Sequence, residues 1–569
     1  MKIISVKKSD ELWKEDKYDV VIVNTYFELS EIKTPYKEDG TFYYIQDIVL
    51  NIEKHINKNG LIYIYGITQE LIYFALELNK RFIFKYWNVI DIVRDNQDED
   101  LPNNHVGLLV YSVSKNLSLF TPNKIRIPYK ACTICGKNVK DWGGKKHLMN
   151  KNGTALSDVW TDFNVVKEVI KDPDVENIEL LKIDIDKLEL NLQDCKIPKK
   201  VLNRILNMSN TENVLQVNLY NSIRNIIKAP EVQTLKSIKV SDTDINDEYS
   251  NKIFLRDSID LLKEIIDKYP NGYFDLIFAD PPYNLVKKYK DHNDGMEEIE
   301  YIKWCNEWLS LCSKALKPNG SLYVLNIPKW SIYHAEELNK HMYLKNWIVW
   351  DALSVPMGKV MPAHYTLLYY VKNPNDYTFN LQFSTERKDL CLRNKCIKIR
   401  INKDLHFDKV NNIWSDIHRI KHKKDRDEHP CQLPLKLMNR IIKMSTNKND
   451  IVYDPFCGAG TTAIAAKGLG RKYCSSDISD MYVQITEKNL QNIDDQGSLN
   501  RKSVKKLRTN VYTKKEIELR VQELAKKYNR KITINELLRE SPFEESDLIS
   551  LYKNLSIPLK ACSKVIDIN

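Results

Sequence analysis

Three features of the chain predict an α/β architecture built on open sheets. The apolar run Phe274-Asp275-Leu276-Ile277-Phe278-Ala279 reads as a buried strand of a parallel sheet. Asp450-Ile451-Val452-Tyr453 reads as a second strand. It leads through a glycine-containing turn into the helix-like Ala463-Ile464-Ala465-Ala466-Lys467, the strand–turn–helix order of a nucleotide-type cradle. The amino-terminal half repeats the order of the second half in worn form.

The first strand ends in Asp280-Pro281-Pro282-Tyr283, at the carboxyl edge where open α/β sheets place ligands. Two prolines fix φ, and Pro282 pushes Pro281 away from the helical region, so the turn is stiff. Such a turn offers a carboxylate, backbone carbonyls and one aromatic face to a flat, amino-bearing ring. A Pro-Pro loop that merely ends a strand is the plain alternative. The second strand opens into Asp454-Pro455-Phe456-Cys457-Gly458-Ala459-Gly460-Thr461-Thr462. Gly458 and Gly460 let backbone approach a ligand closely, and without a Gly-Lys-Ser/Thr ending a phosphate P-loop is disfavoured.

Together the two segments resemble the amino-group DNA methyltransferases that use S-adenosylmethionine. The order is that of the β class, in which the Asp-Pro-Pro-Tyr element precedes the Asp-Pro-Phe-x-Gly-x-Gly element. Phe254-Leu255-Arg256-Asp257-Ser258, Leu316–Leu322, His429–Pro434 and Arg471–Asp477 extend the match over about residues 250–490. Asp477 stands where the family more often has Glu, and Ser475 where Gly is usual. The resemblance implies a Rossmann-like S-adenosylmethionine-dependent methyltransferase fold. It implies that the Asp454–Thr462 loop, including Pro455, Phe456, Gly458, Gly460, Thr461 and Thr462, cradles the methionine part of the cofactor. Asp477 would accept the ribose hydroxyls, Asp257 would face the adenine ring, the His429–Pro434 turn and its helix would line the methionine side, and Asp280 would also touch the cofactor. For Asp257 and Asp477 the plain alternative is capping or surface solvation.

The exocyclic amine of adenine is a poor nucleophile, because its lone pair is conjugated into the ring. Hydrogen bonds from its N–H groups to the Asp280 carboxylate and the Pro281 carbonyl favour a pyramidal nitrogen. Alignment with a sulfonium methyl then supplies most of the rest. Tyr283 would stack on the extruded base. No covalent enzyme intermediate is needed, and Cys457 reads as a small buried filler. The first-position Asp points to adenine N6 in double-stranded DNA. Cytosine N4 is the same-class alternative, since relatives acting on cytosine more often carry Ser there. A non-catalytic DNA-binding subunit is the alternative of another class.

The duplication sharpens this picture. Tyr18–Val23 parallels Phe274–Ala279, Lys58–Tyr63 parallels Pro318–Tyr323, and Pro198–Leu206 parallels Pro434–Ile442. Asn24 stands where Asp280 stands, and Gln216-Val217-Asn218-Leu219-Tyr220 follows where a glycine loop would be. The first copy is therefore expected neither to bind cofactor nor to catalyse. The expected domains are 1–245, a degenerate copy able to help grip DNA as half of an intramolecular pseudo-dimer; 246–497, the catalytic unit; and 498–569, a basic linker with a small helical module. Within the last, Lys514–Tyr528, Thr533–Arg539 and Ser546–Leu555 read as helices.

In the family, target recognition lies in the interval that here spans about 372–428. Its Arg387, Lys388, Arg393, Arg419, Lys421, Lys423 and Lys424 are candidates for phosphate contact. A solvated charged loop is the plain reading for any one of them. The net charge of +10 suits a polyanion without establishing one. Cys132-Thr133-Ile134-Cys135 has knuckle-like zinc spacing, but no second Cys-x-x-Cys follows. His147, Cys195, or Cys391 and Cys396 would have to complete the set, and incomplete sets are more often structural thiols. Eleven scattered cysteines, no signal-type start and no long apolar run suggest a cytoplasmic protein with no membrane span. A cognate restriction endonuclease acting on the same site is the expected biological partner, and no nuclease motif is present in this chain.

Overall fold

The computed structural model describes residues 2–6, 16–25, 40–91, 100–129, most of 150–162, 197–219, 248–285, 295–352, 359–384, 408–417, 432–491 and 513–541, with isolated positions such as 132, 135–137, 396 and 419 between and beyond them. Two large mixed sheets dominate. The first has the spatial order Lys2–Val6, Val214–Leu219, Tyr18–Asn24, Ile56–Gly66, His105–Ser112, Ile83–Asp91, Val159–Trp160. The second runs Lys252–Leu255, Lys472–Asp477, Ile451–Asp454, Phe274–Ala279, Leu316–Asn326, His364–Val371, Tyr343–Asp351, Ile413–Trp414. In each, one strand is antiparallel to its neighbours, His105–Ser112 in the first and His364–Val371 in the second.

Strand register makes the duplication concrete. Val20 pairs with Val214 and Leu61 just as Leu276 pairs with Val452 and Ser321. The same register sets Gln216 where Asp454 stands, so the first copy has an amide at both positions where the second has a carboxylate. Each copy also buries a bidentate Arg–Asp pair beside a tryptophan. Arg204 grips Asp162 with its guanidinium 4.9 Å from the Trp160 ring, and Arg440 grips Asp416 at 5.1 Å from Trp414. The first copy's sheet edge is completed by the amino-terminal strand Lys2–Val6, parallel to Val214–Leu219. That strand occupies the place that Lys472–Asp477 fills in the second copy, and sequence reading did not foresee it.

The halves pack about a near two-fold relation. Trp87 stacks on Trp347 with centroids 4.2 Å apart. Asn79 donates to the Tyr333 hydroxyl at 3.0 Å, and Asn339 donates to the Tyr73 hydroxyl at 3.3 Å. The backbone N–H of Ala363 donates to Asp158 and that of Asn104 to Asn412, both at 2.8 Å. One apolar core runs through both sheets and the helices Thr68–Asn79 and Pro328–Leu338 between them. Burial of this kind contributes roughly 25 cal/mol per Å² of apolar surface, so neither half is a free-standing bead.

Toward the carboxyl end, helices Lys514–Tyr528 and Ile534–Arg539 each begin with a complete capping box, Thr513 with Glu516 and Thr533 with Glu536. They enclose a small core of their own around Val521, Leu524 and Leu537. The third expected helix and both expected domain boundaries fall largely outside the described residues. Among the described residues, no helix is long and apolar enough to cross a membrane.

Candidate active site

In the second sheet the chain order reverses between Ile451–Asp454 and Phe274–Ala279, which are parallel neighbours. A crevice opens beyond the carboxyl ends of two strands at such a switch point. Asp280-Pro281-Pro282-Tyr283 leaves one of them and the glycine turn leaves the other. Both line a single cavity of about 380 Å³.

Long-range hydrogen bonds hold the tetrapeptide. The Tyr301 hydroxyl donates to the Pro282 carbonyl at 2.6 Å, and the Trp330 indole N–H donates to the Tyr283 carbonyl at 2.7 Å. Asn284, at φ +50°, closes the turn by exchanging two hydrogen bonds with the Met296 backbone. The Tyr283 hydroxyl donates to Asp280 Oδ1 at 2.7 Å, which fixes the carboxylate's rotation. The Tyr283 ring faces Tyr365 at 5.7 Å, and Tyr365 in turn faces Trp350 at 5.5 Å.

The glycine turn is built around a buried acid. Asp454 accepts the Phe456 N–H at 3.0 Å and the Thr462 hydroxyl at 2.5 Å. Gly458 donates its N–H to Asp477, whose other oxygen accepts from Ser479, each at 2.9 Å. Gly460 sits at φ +76°, and a Cβ there would lie 2.4 Å from the Thr486 side chain, so only glycine fits. Gly460 holds the turn from behind and does not itself line the cavity. Burial pushes the Asp454 carboxyl up to about 7, and burial also raises Asp477.

The walls suit a cationic, partly apolar ligand. Four aspartates, Asp257, Asp280, Asp454 and Asp477, face the cavity against one base, Arg256, which is itself paired with Glu264. Such a lining disfavours a polyphosphate and fits a sulfonium with an ammonium group. Phe456, packed on Trp304 and Trp308, and the exposed Ile478 supply apolar faces. The donor set therefore fits S-adenosylmethionine.

Other expected residues are placed differently. Asp257 lines the cavity and also caps helix Ser258–Lys268, accepting the Ile259 N–H at 2.8 Å. Pro434 is the N-cap residue of helix Leu435–Ser445 and stands back from the cavity, while Gln432 and Leu433 line it. His429 lies outside the described residues, as do Arg387, Lys388, Arg393, Lys421, Lys423 and Lys424. Arg419 donates to the Tyr365 hydroxyl at 2.8 Å, which puts its charge beside the Tyr283 end of the pocket. Tyr301, Trp330, Trp304 and Tyr365 were not singled out from sequence. Their signal is an aromatic richness that any core shares.

The raised Asp454 gives a pH signature. Its folded pKa lies above the unfolded value of about 3.9, so the folded chain binds more protons between roughly pH 4 and 7 and this carboxyl's contribution to stability falls as pH rises across that window. A cationic ligand favours the ionised form, so its affinity should rise roughly tenfold from pH 6 to pH 8. Calorimetry with S-adenosylmethionine at both pH values should show this for the native chain and a flat response for Asp454→Asn.

Comparison with known proteins gives the family. The family described as DNA methylase matches residues 274–488, and the D12 class N6 adenine-specific DNA methyltransferase family matches residues 435–561. The type II methyltransferase M.BamHI of Bacillus amyloliquefaciens is 33% identical over 405 residues, covering 67% of this chain and 89% of that protein. The DNA adenine methyltransferase YhdJ of Escherichia coli (strain K12) is 34% identical over 233 residues, covering 40% of this chain and 79% of that protein. A crystal structure of an M1.HpyAVI–SAM complex aligns with 42% of this chain and 97% of that one, at 23% identity and a TM-score of 0.31. With its Asp-Pro-Pro-Tyr strand end preceding the glycine turn, and both opening on one cavity, the chain belongs to the β-class amino-group DNA methyltransferases.

Proposed function

We propose that this pocket transfers a methyl group from S-adenosylmethionine to the N6 amine of a specific adenine in double-stranded DNA. The observation that carries the proposal is the single cavity shared by Asp280, the Pro281 turn and the glycine loop. The cofactor supplies an electrophilic methyl on sulfur. The Asp280 carboxylate and the Pro281 carbonyl would take the two amine hydrogens, with the Tyr283 hydroxyl holding the carboxylate's orientation. Asp280 would take up the amine proton released when the nitrogen gains the methyl group and pass it to solvent. Tyr283 and Tyr365 offer aromatic faces to a base turned out of the helix. Arg419 stands at the same mouth and is assigned to the DNA side of the site.

The first-position carboxylate and the match to the N6-adenine family support adenine as the target. Relatives named as type II methyltransferases support a cognate restriction endonuclease on the same site, and hence work in the cytoplasm where the chromosome lies. The first copy, with its two amides, is assigned a share in holding DNA rather than in chemistry.

The test is product analysis. DNA treated with the enzyme and methyl-labelled S-adenosylmethionine is digested to nucleosides. N6-methyladenine is the expected product. N4-methylcytosine would move the target to the other base, and unlabelled DNA would overturn the reading.

A further inference from the structure

We propose that Cys132, Cys135 and Cys396 bind one zinc ion that ties the amino-terminal copy to the carboxyl-terminal copy. Their three sulfur atoms lie within 4.8 Å of one another. Cys132 Sγ and Cys396 Sγ are 3.9 Å apart. Two sulfurs about 2.3 Å from a shared tetrahedral ion are about 3.8 Å apart. A disulfide requires about 2.05 Å. The spacing is that of co-ligands.

The local backbone is shaped for the purpose. Gly136 donates its N–H to the Cys132 carbonyl at 2.8 Å, and Cys132 donates to the Lys137 carbonyl at 2.7 Å. Gly136 lies at φ +64°, and a Cβ there would meet nothing within 4 Å. Glycine is therefore required by the turn and not by crowding. These bonds bring Lys137 back against Cys132, and the sulfurs of Cys132 and Cys135 lie within 4.8 Å of each other. Cys132 and Cys396 are each 1% exposed, and the half-buried Cys135 leaves a route for the ion.

Ordinary buried thiols explain this less well. Cys305, Cys312, Cys457 and Cys474 are such thiols, set in a helix, a glycine turn and a strand. The three gathered sulfurs instead come from segments 264 residues apart in the chain, one in each copy. Binding expels the three thiol protons and forms three Zn–S bonds, with no change of oxidation state. Among the described residues no fourth ligand is within reach, and Cys391 lies outside them. The ion would join the interval assigned to target recognition to its counterpart in the first copy.

The experiment uses the full chain, purified with reductant and without chelator. Elemental analysis should find about one zinc per chain. Cobalt substitution should give thiolate-to-cobalt charge-transfer and tetrahedral ligand-field bands. Cys396→Ser, and separately Cys132→Ser with Cys135→Ser, should abolish both signals, while Cys312→Ser keeps them. A native chain that holds no zinc and shows no cobalt bands overturns the proposal, as does a Cys132–Cys396 disulfide found by peptide mapping. Zinc retained at full stoichiometry by Cys396→Ser would overturn the link between copies. The cobalt spectrum of the native chain decides the matter even if the variants fold poorly.

Discussion

Asp280→Asn should lower kcat for methyl transfer by roughly 10²- to 10³-fold, about 3–4 kcal/mol of barrier, while the S-adenosylmethionine Kd stays within about twofold. The carboxylate is asked to act only as the amine becomes cationic. An interaction that strengthens in the transition state affects kcat more than binding. Asparagine keeps the volume and one acceptor oxygen, so the 2.7 Å hydrogen bond from Tyr283 survives. What it loses is the charge, and its NH₂ group competes with the substrate amine for acceptors. The first copy has already made this substitution, with Asn24 at the equivalent strand end and Gln216 replacing Asp454. Single-turnover rates on DNA, paired with cofactor calorimetry, separate the two effects. A rate within tenfold of the native enzyme would mean that Asp280 only shapes the turn.

Local signals carried the sequence reading far. Phe274–Ala279 was legible because a six-residue apolar run cannot stay solvated, and the structure has a strand with those limits. Lys514–Tyr528 was read as a helix, and the structure has a helix with those limits. Six ordered correspondences made the duplicate copy visible, although its glycine loop is gone. What stayed hidden depends on contacts distant in the chain. Tyr301 and Trp330 lie 19 and 47 residues from the carbonyls they hold. The Lys2–Val6 strand is too short and too flanked by charge to announce itself, and only the empty edge beside Val214–Leu219 gives it a place. Arg419 belongs to a basic run that reads as phosphate-binding, and its bond to the Tyr365 hydroxyl, 54 residues away in the chain, could not be read from that charge. Asp257 shows the same ambiguity, because a capping carboxylate and a ligand carboxylate look identical before the cavity beside them is known.

Asp416→Ala should cost about 3–5 kcal/mol of stability in the catalytic half, more than any surface substitution in the chain. Burial opposes ionisation of Asp416, but the bidentate Arg440 guanidinium outweighs it and holds the carboxyl well below its usual range. Lys436, 3.4 Å away, adds to the pull. The side chains of Asp416 and Arg440 are only 7% and 8% exposed, so removing the acid leaves a buried cation with no counter-charge. Because the folded pKa lies below the unfolded value of about 3.9, the pair's contribution is fully present above that value and is lost as pH falls through the folded pKa. The native chain should therefore lose stability in acid, and the variant should lose less of it. The Asp162–Arg204 pair of the first copy is the internal control. Asp162 is 19% exposed, so water can enter where its carboxylate stood, and Asp162→Ala should cost less. The effect also reaches function, because Arg440 lies on helix Leu435–Ser445, just after Gln432 and Leu433 at the cavity wall. Urea unfolding of both variants, followed by tryptophan fluorescence, measures the difference. Equal losses in the two copies would show that solvent access does not set the cost, and a loss under about 1 kcal/mol at Asp416 would mean the buried pair is dispensable.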